Sequence, residues 1–205
     1  MKAIITGSGG LIGSACVRPL AAEGWDVVGV DNDMRQVFFG PAGSTEANVR
    51  TLCSTFPSYR RMAVDIRERT AVRDLLKDQR PGFLIHTAAQ PSHDKAASIP
   101  YDDFDVNAGG TMNLLVAARD YCAESPFCFT STNKVYGYRP NSPAAMGYRL
   151  THELRDENRK GGYICYISGL SKIRAHYPEW KPEYGLLRIL SEIVGRNLSQ
   201  LATVS

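Results

Sequence analysis

Short apolar runs alternate with longer amphipathic segments along the first two thirds of the chain. The apolar runs predict strands at residues 2–6, 25–31, 62–65, 83–89 and 127–132. The amphipathic segments predict helices at residues 11–23, 67–79 and 103–121. Continuous apolar strands are typical of parallel sheets, whose two faces are both covered by helices. The alternation therefore predicts an α/β fold with a doubly wound parallel sheet.

Two finer predictions concern these helices. Gly24 follows the first helix and is predicted to end it, because glycine adopts the left-handed conformation common at helix C-termini. In the helix over 103–121, helical spacing predicts that Leu114, Leu115 and Ala118 face the sheet.

The pattern changes after Gly137. Residues 138–162 are polar, rich in Pro and Gly, and have no convincing period. Beyond them, one strand is predicted at 163–168 and helices at 169–176 and 186–201. The best boundary lies between Pro143 and Gly147. We therefore expect a domain over 1–143, truncated after its fifth strand, and a small C-terminal α+β region over 147–205.

Composition is that of an ordinary globular protein. Of 205 residues, 43% are hydrophobic and 22% charged, with a net charge of +3. The small, scattered charge argues against nucleic acid or a membrane surface as a partner. The five cysteines show no CxxC pair or metal-ligand spacing, which favours buried thiols in a reducing compartment and no metal site. With no signal peptide or membrane-length apolar run, a cytoplasmic location is expected. His86 is expected to be a core residue and His93 a loop residue.

Three glycines, Gly7, Gly10 and Gly13, stand where the first strand becomes the first helix. A glycine turn there lets backbone amides approach a pyrophosphate, and the helix N-terminus adds partial positive charge. Asp31, at the end of the second strand, would accept both ribose hydroxyls and repel a 2′-phosphate, which favours NAD over NADP. The nearby Arg35 leaves NADP open. The alternative is a plain strand–helix turn with an incidental surface Asp.

Five motifs occur in a characteristic order. They are TGSGGLIG at 6–13, Asp65-Ile66, HTAAQPSH at 86–93, NAGGTMNLL at 107–115 and TSTNKVYG at 130–137. Residues 1–143 thereby resemble the extended short-chain dehydrogenases/reductases, the NAD-dependent epimerase/dehydratase family, with its Rossmann domain. VDNDMRQVFFG, AAQPSHD and TSTNKVYG look most like the CDP-paratose 2-epimerase branch of that family.

The resemblance implies NAD as cofactor and a role for each matching residue. Glycines 7, 10 and 13 would hold the pyrophosphate and Asp31 the ribose, with Asp65 and Ile66 beside the adenine. The remaining implied cofactor-binding residues are Leu11, Ile12, Asn32, Arg35, Ala88, Ala89, Gln90, Asn107 and Thr130. Thr132 falls where the family has its catalytic Ser or Thr. Each position also has a structural alternative: strand-end packing for Ala88 and Ala89, a helix cap for Asn107, and backbone capping for Thr132.

The Tyr-x-x-x-Lys pair with which this family moves a proton is not found in a helical context. Only Tyr177 has a lysine four residues later, Lys181, and Pro178 lies between them. Residues 156–190 resemble the terminal segment of the same branch, which suggests that a middle section is missing between about 143 and 147.

Three interpretations follow from the missing pair. The first is an NAD-dependent epimerase that acts on a nucleotide sugar (a CDP-sugar or similar) with impaired activity, with Lys134 as an unproven substitute for the missing acid/base and a homo-oligomer as one option for its assembly. The second is a non-catalytic NAD-binding module, working as a sensor or as half of a hetero-oligomer whose partner supplies the proton-transfer group, and the third is a partly folded remnant.

Overall fold

The computed structural model describes residues 1–132, 170–183, 188 and 191. The first of these ranges contains a five-stranded parallel sheet in the order β3-β2-β1-β4-β5. Its strands are β1 Lys2–Thr6, β2 Asp26–Val30, β3 Tyr59–Met62, β4 Phe83–His86 and β5 Phe127–Phe129. Because the order reverses at β1, the sheet is doubly wound as predicted, and its carboxyl edge opens a crevice between β1 and its neighbours.

Seven α-helices accompany the sheet within residues 1–132. They are α1 Leu11–Ala22, α2 Met34–Phe39, α3 Glu46–Thr55, α4 Arg69–Gln79, α5 His93–Ser98, α6 Pro100–Phe104 and α7 Thr111–Tyr121. A short 3-10 turn covers Pro41–Gly43 and a π-helical turn covers Asp105–Gly110. Gly24 has a φ of 81° just after α1, which confirms it as the helix stop. None of the helices in the described residues is long and apolar enough to span a membrane.

Alternate residues of the central strands build two separate cores. Ile4, Val28 and Leu84 are fully or almost fully buried against α4 and α7. Ile5 and Ile85 point to the opposite face, where α1 and α3 cover them. Successive side chains of a strand point to opposite faces, so a strand buried on both sides needs an unbroken apolar run. This is why the sequence pattern located β1 and β4.

The third strand was predicted at 62–65 but lies at 59–62, so that prediction was wrong. Tyr59, which is 4% exposed, pairs with Val27 and packs in the second core. Arg60 and Arg61 interrupt the apolar pattern by which the other strands were predicted. At a sheet edge their long side chains reach acidic partners instead of entering the core. Arg60 forms an ion pair with Asp26 and Arg61 with Glu46.

Other boundaries also differ from the predictions. Strands β4 and β5 end at His86 and Phe129, each three residues earlier than predicted. The helix expected over 103–121 is divided by the π-helical turn. Leu114 and Ala118 are buried as predicted, whereas Leu115 is 44% exposed. Leu115 lies about 100° around α7 from Leu114, outside the face on which Leu114, Ala117 and Ala118 are buried, so it points away from the sheet.

The cysteines were expected to be buried, and this is wrong for the four in the described residues. Cys16 and Cys122 are half-buried, while Cys53 and Cys128 are exposed. His86 is a core residue as expected, and the exposed His93 begins α5 instead of lying in a loop.

In the C-terminal region, a helix α8 covers Ser171–His176, two residues shorter at its start than predicted. The strand expected at 163–168, the boundary at 143–147 and most of the helix at 186–201 lie outside the described residues.

We expect Leu114→Ala to lower the free energy of unfolding by about 2–5 kcal/mol, because it leaves a cavity between α7 and the sheet. Its neighbour Leu115→Ala is the matched control and should cost less than about 1 kcal/mol, since that side chain is already largely in water. Urea unfolding of both variants measures the difference. Equal losses would contradict the orientation of α7.

Candidate functional site

A cavity of about 330 Å³ opens at the carboxyl edge of the sheet. It lies where the ends of β1, β2 and β4 meet, the place where open parallel sheets bind ligands. Twelve of the predicted site residues line it: Gly7, Gly10, Leu11, Ile12, Gly13, Asp31, Asn32, Arg35, Asp65, Ile66, Ala88 and Ala89. The predicted residues thus converge on one cavity from four separate segments of the chain.

The glycine turn is folded so tightly that side chains would not fit. A Cβ on Gly13 would lie 2.1 Å from the carbonyl oxygen of Gly7, and Gly7 itself has a φ of 68°. A Cβ on Gly7 would also lie 2.8 Å from the amide nitrogen of Ala88. The turn therefore brings bare backbone to the cavity at the start of α1. The first amides of a helix have no partner within it, so those of α1 are available to an anion.

Gly9 is a fourth required glycine that the sequence analysis did not single out. It is buried, and a Cβ there would lie within 2.9 Å of Val49, Thr45 and Asp31. Its amide donates a hydrogen bond of 2.8 Å to Oδ2 of Asp31. The position of Gly9 directly before the predicted Gly10 was the available signal, but only the packing of α3 shows why a glycine is needed there.

Asp31 is held by three hydrogen bonds at the end of β2. Besides the Gly9 amide on Oδ2, its Oδ1 accepts from the backbone amide of Asp33 at 3.0 Å and from the hydroxyl of Thr45 at 3.0 Å. The carboxylate is half-buried and lines the cavity. A carboxylate has about four acceptor positions, so one remains for a ligand hydroxyl without rearrangement.

Asp33 forms a second carboxylate layer behind Asp31. Its side chain accepts from the Thr45 amide at 2.7 Å, the Ser44 hydroxyl at 2.8 Å and the Thr45 hydroxyl at 3.1 Å. Burial raises the pKa of Asp33, but these hydrogen bonds and the nearby Arg61 outweigh it, and the pKa is lowered overall. Neither residue was among the predicted site residues: Asp33 lies inside the segment VDNDMRQVFFG but was given no role, and Thr45 lies outside the quoted motifs.

The Asp65 carboxylate is paired with Arg67. The guanidinium lies 2.8 Å from Oδ2, and the Arg67 amide donates to Oδ1 at 2.9 Å. Burial raises the pKa of Asp65, whereas the hydrogen bonds and charge of Arg67 lower it, with a net lowering. Asp65 is therefore ionised at neutral pH while it lines the cavity.

An apolar wall completes the cavity and was also missed. It consists of side chains from the α2 region and the neighbouring strand ends: Val30, Met34, Phe38, Phe39, Val64, Pro91 and Val106. The Arg35 guanidinium lies 5.4 Å from the ring centre of Phe39. Apolar side chains at the end of β2 offer a surface for a flat aromatic ring. The run VFF was the available signal, but no helix was predicted there.

Four predicted site residues do not line the cavity: Gln90, Asn107, Thr130 and Thr132. Gln90 and Asn107 are bonded to each other, the Gln90 amide donating to Oδ1 of Asn107 at 2.9 Å, and both amide side chains donate to Oδ1 of Asp103. Thr130 donates to the His86 carbonyl at 3.0 Å. Thr132 is exposed, beyond the end of β5.

A buried hydrogen-bond chain connects the cavity floor to the π-helical turn. The Thr111 hydroxyl donates to the Asn107 carbonyl at 2.7 Å, so it accepts from Nε2 of His86 at 2.9 Å. Nδ1 of His86 then accepts from the Thr6 hydroxyl at 2.6 Å. That hydroxyl oxygen also accepts from the amides of Thr87 and Ala88. These hydrogen bonds fix His86 as the neutral tautomer with its proton on Nε2, and they hold the Ala88 backbone at the cavity.

The composition of this site fits a dinucleotide. The glycine turn presents backbone amides to an anion with no side chain in between. The Asp31 carboxylate can accept hydrogen bonds from ribose hydroxyls, and the apolar wall offers a surface to a base. A comparison with protein families agrees, since the model of the NAD dependent epimerase/dehydratase family matches residues 3–162. The chain belongs to this family. The predicted cofactor, NAD, is confirmed at the level of the family, which is NAD dependent.

Curated relatives come from several branches. CDP-paratose 2-epimerase of Salmonella typhi is 34% identical over 137 residues, covering 67% of this chain and 38% of the relative. dTDP-glucose 4,6-dehydratase of Neisseria meningitidis serogroup B is 33% identical over 204 residues, covering 87% and 55%. The chain thus spans roughly half the length of the curated relatives it matches or less.

Solved structures give the same fold. UDP-glucose-4-epimerase of Stenotrophomonas maltophila, with bound NAD and formylated UDP-arabinopyranose, has a TM-score of 0.56 and 29% identity, covering 67% of this chain and 38% of that one. WbmH of Bordetella bronchiseptica, in complex with NAD+, has a TM-score of 0.54 and 29% identity, covering 66% and 40%. The predicted Rossmann fold and family are confirmed.

We expect acid to destabilise the protein partly through His86. Burial lowers the pKa of this imidazole from 6.5 to about 4, so the unfolded chain binds the extra proton between those values. This contribution to stability is complete above pH 6.5 and is lost as pH falls toward 4, by about 3 kcal/mol.

Urea unfolding between pH 4.5 and 7.5 measures the effect. His86→Gln should flatten the pH dependence, whereas His93→Gln, at an exposed position, should not. A wild-type slope retained in His86→Gln would show that other groups cause it.

Proposed function

We propose that this chain binds NAD in the cavity at the carboxyl edge of its sheet. The pyrophosphate would lie on the amides at the start of α1, beside Gly7, Gly10 and Gly13. Leu11 and Ile12 would border it. The Asp31 carboxylate would accept a ribose hydroxyl, and Asn32 and Arg35 would lie beside it. The single observation that carries this proposal is the convergence of the glycine turn and Asp31 on one cavity.

The other ends of the cofactor follow from the same cavity. The adenine would lie along the apolar wall near Asp65 and Ile66. The nicotinamide end would pass Ala88 and Ala89, and the Ala88 amide donates to the Thr6 hydroxyl at 3.2 Å. Gln90 and Asn107 would act as positioning residues through their mutual hydrogen bonds, and Thr130 by holding the end of β4. The chemistry that NAD would supply when bound there is reversible hydride transfer with a sugar carbinol.

We propose a nucleotide sugar as the substrate class, with CDP-paratose or a similar CDP-sugar as the specific candidate. The similarity to the Salmonella typhi CDP-paratose 2-epimerase supports this candidate. Relatives at comparable identity include dehydratases and UDP-glucose epimerases. The comparisons therefore support the cofactor more strongly than they support one particular reaction. Thr132 is the proposed catalytic hydroxyl, because it falls at the family's Ser or Thr position.

We propose that proton transfer by this chain is impaired. Of its ten tyrosines, only Tyr177 has a lysine four residues later. Helix α8 ends at His176, and Tyr177 has φ −134° and ψ 79°, so Tyr177 and Lys181 do not share a helical turn. Loss of a positioned acid/base typically slows a reaction about 10²–10⁴-fold. The second candidate function, a non-catalytic NAD-binding module or half of a hetero-oligomer, rests on the same observation.

Calorimetric titration with NAD tests cofactor binding. We expect saturable binding by the 205-residue chain, and at least about tenfold weaker binding by Gly13→Ala, because the new Cβ would collide with the Gly7 carbonyl. Gly82→Ala is the matched control, since its Cβ would lie 3.7 Å from its nearest neighbour. Circular dichroism checks that both variants fold. No heat of binding with the folded wild type would overturn the proposal.

A second measurement tests catalysis. With NAD and CDP-paratose, we expect epimerisation at least about 10²-fold slower than that of a relative carrying the Tyr-x-x-x-Lys pair, measured by NMR of the sugar C2 proton. Any residual rate should fall further in Thr132→Val. Turnover at the relative's rate would contradict the proposed impairment, and saturable NAD binding without turnover would favour the binding module.

A further inference from the structure

The ribose end of the cavity contains two carboxylates, although one is enough to accept ribose hydroxyls. Asp31 lines the cavity, and Asp33 stands behind it, 9% exposed. Both Oδ1 atoms lie within hydrogen-bond distance of the Thr45 hydroxyl, at 3.0 and 3.1 Å. A hydroxyl has one proton to donate, so the two carboxylates share it. This arrangement keeps two negative charges close together at the place where the 2′ position of an adenosine would lie.

The backbone is shaped to hold Asp33 there. Asp33 has a φ of 56°, a left-handed conformation that is uncommon for residues other than glycine. Its carboxylate is anchored by Ser44 and by the backbone and hydroxyl of Thr45, the residue that precedes α3. A left-handed residue whose carboxylate accepts three hydrogen bonds indicates that the surrounding structure specifies its position.

The neighbouring cations do not remove this negative charge. Arg61 is paired with Glu46 and donates its Nε to the Asp31 carbonyl at 2.7 Å. Arg35 lines the cavity and lies over the Phe39 ring. By itself, Arg35 would attract a 2′-phosphate. The choice between the two cofactors therefore depends on whether the carboxylates outweigh this arginine.

We infer that Asp33 and Thr45 are specificity-determining positioning residues that hold the Asp31 carboxylate for a ribose diol and make the site reject a 2′-phosphate. This inference rests on the proposed NAD binding. Asp33 acts through its charge and through Thr45, and Thr45 acts by orienting Asp31 toward the cavity. Replacing Asp31 alone would therefore leave a second carboxylate opposing a 2′-phosphate.

The test compares binding of ADP-ribose with that of its 2′-phosphate by calorimetry, using the full chain. We expect the wild type to prefer ADP-ribose by about tenfold or more, and Asp33→Asn to reduce this preference by at least about fivefold. Asp78→Asn removes the same charge from an exposed position on α4 and should leave the ratio unchanged.

A second pair of variants separates positioning from folding. Thr45→Val keeps the shape but removes the shared hydroxyl, and should weaken ADP-ribose binding severalfold, whereas Thr45→Ser should restore it. These two variants also test the inference if Asp33→Asn does not fold.

Each outcome is informative. A preference that is unchanged in folded Asp33→Asn, or a Thr45→Val variant that binds like Thr45→Ser, overturns the inference but leaves the proposed NAD binding intact. Equal affinity of the wild type for ADP-ribose and its 2′-phosphate also overturns the inference and leaves the proposed NAD binding intact. A wild type that binds neither ligand overturns the proposed function and the inference together.

Discussion

The site depends on the close approach of backbone to backbone at the glycine turn. The Gly7 carbonyl occupies the space that a Cβ on Gly13 would need, and the backbone of Ala88 occupies the space that a Cβ on Gly7 would need. No side chain can enter either contact without moving the main chain. This constraint joins the end of β1, the start of α1 and the end of β4, so that amides, carboxylate and apolar wall face the same cavity.

Two hydrogen-bond systems extend that constraint into the rest of the domain. On the β2 side, Asp31 connects the turn at Gly9 to the start of α3 through Thr45. On the β4 side, His86 connects Thr6 to the π-helical turn. Both systems bury polar groups and satisfy them, which gives the cavity a defined shape instead of a flexible one. The cost is a fixed protonation state at His86.

The features with which the family would bind its cofactor come together in the described residues, whereas proton transfer is proposed to be impaired. Glycine turn, carboxylate and apolar wall are all present around one cavity. By contrast, the only tyrosine and lysine with the family's spacing, Tyr177 and Lys181, follow the end of a short helix. The chain also spans about half the length of its curated relatives or less. Cofactor binding and catalysis are therefore separate questions for this molecule.

The sequence alone determined the fold class and most of the cavity. Buried parallel strands need unbroken apolar runs, and a pyrophosphate turn needs glycines, so both leave local patterns that can be recognised directly. Those patterns located β1, β2, α1 and α4 to within a few residues and identified twelve residues that line the cavity.

Only the tertiary structure decided the features that depend on distant partners. The position of β3 at the edge of the described sheet, with its arginines paired to acidic side chains, and the outward orientation of Leu115 both depend on the packing. The roles of Gly9, Asp33 and Thr45 cannot be read from their local sequence, because these roles arise where the start of α3 meets the glycine turn. A contact between segments far apart in the sequence arises from the packing, so it cannot be predicted from either segment alone.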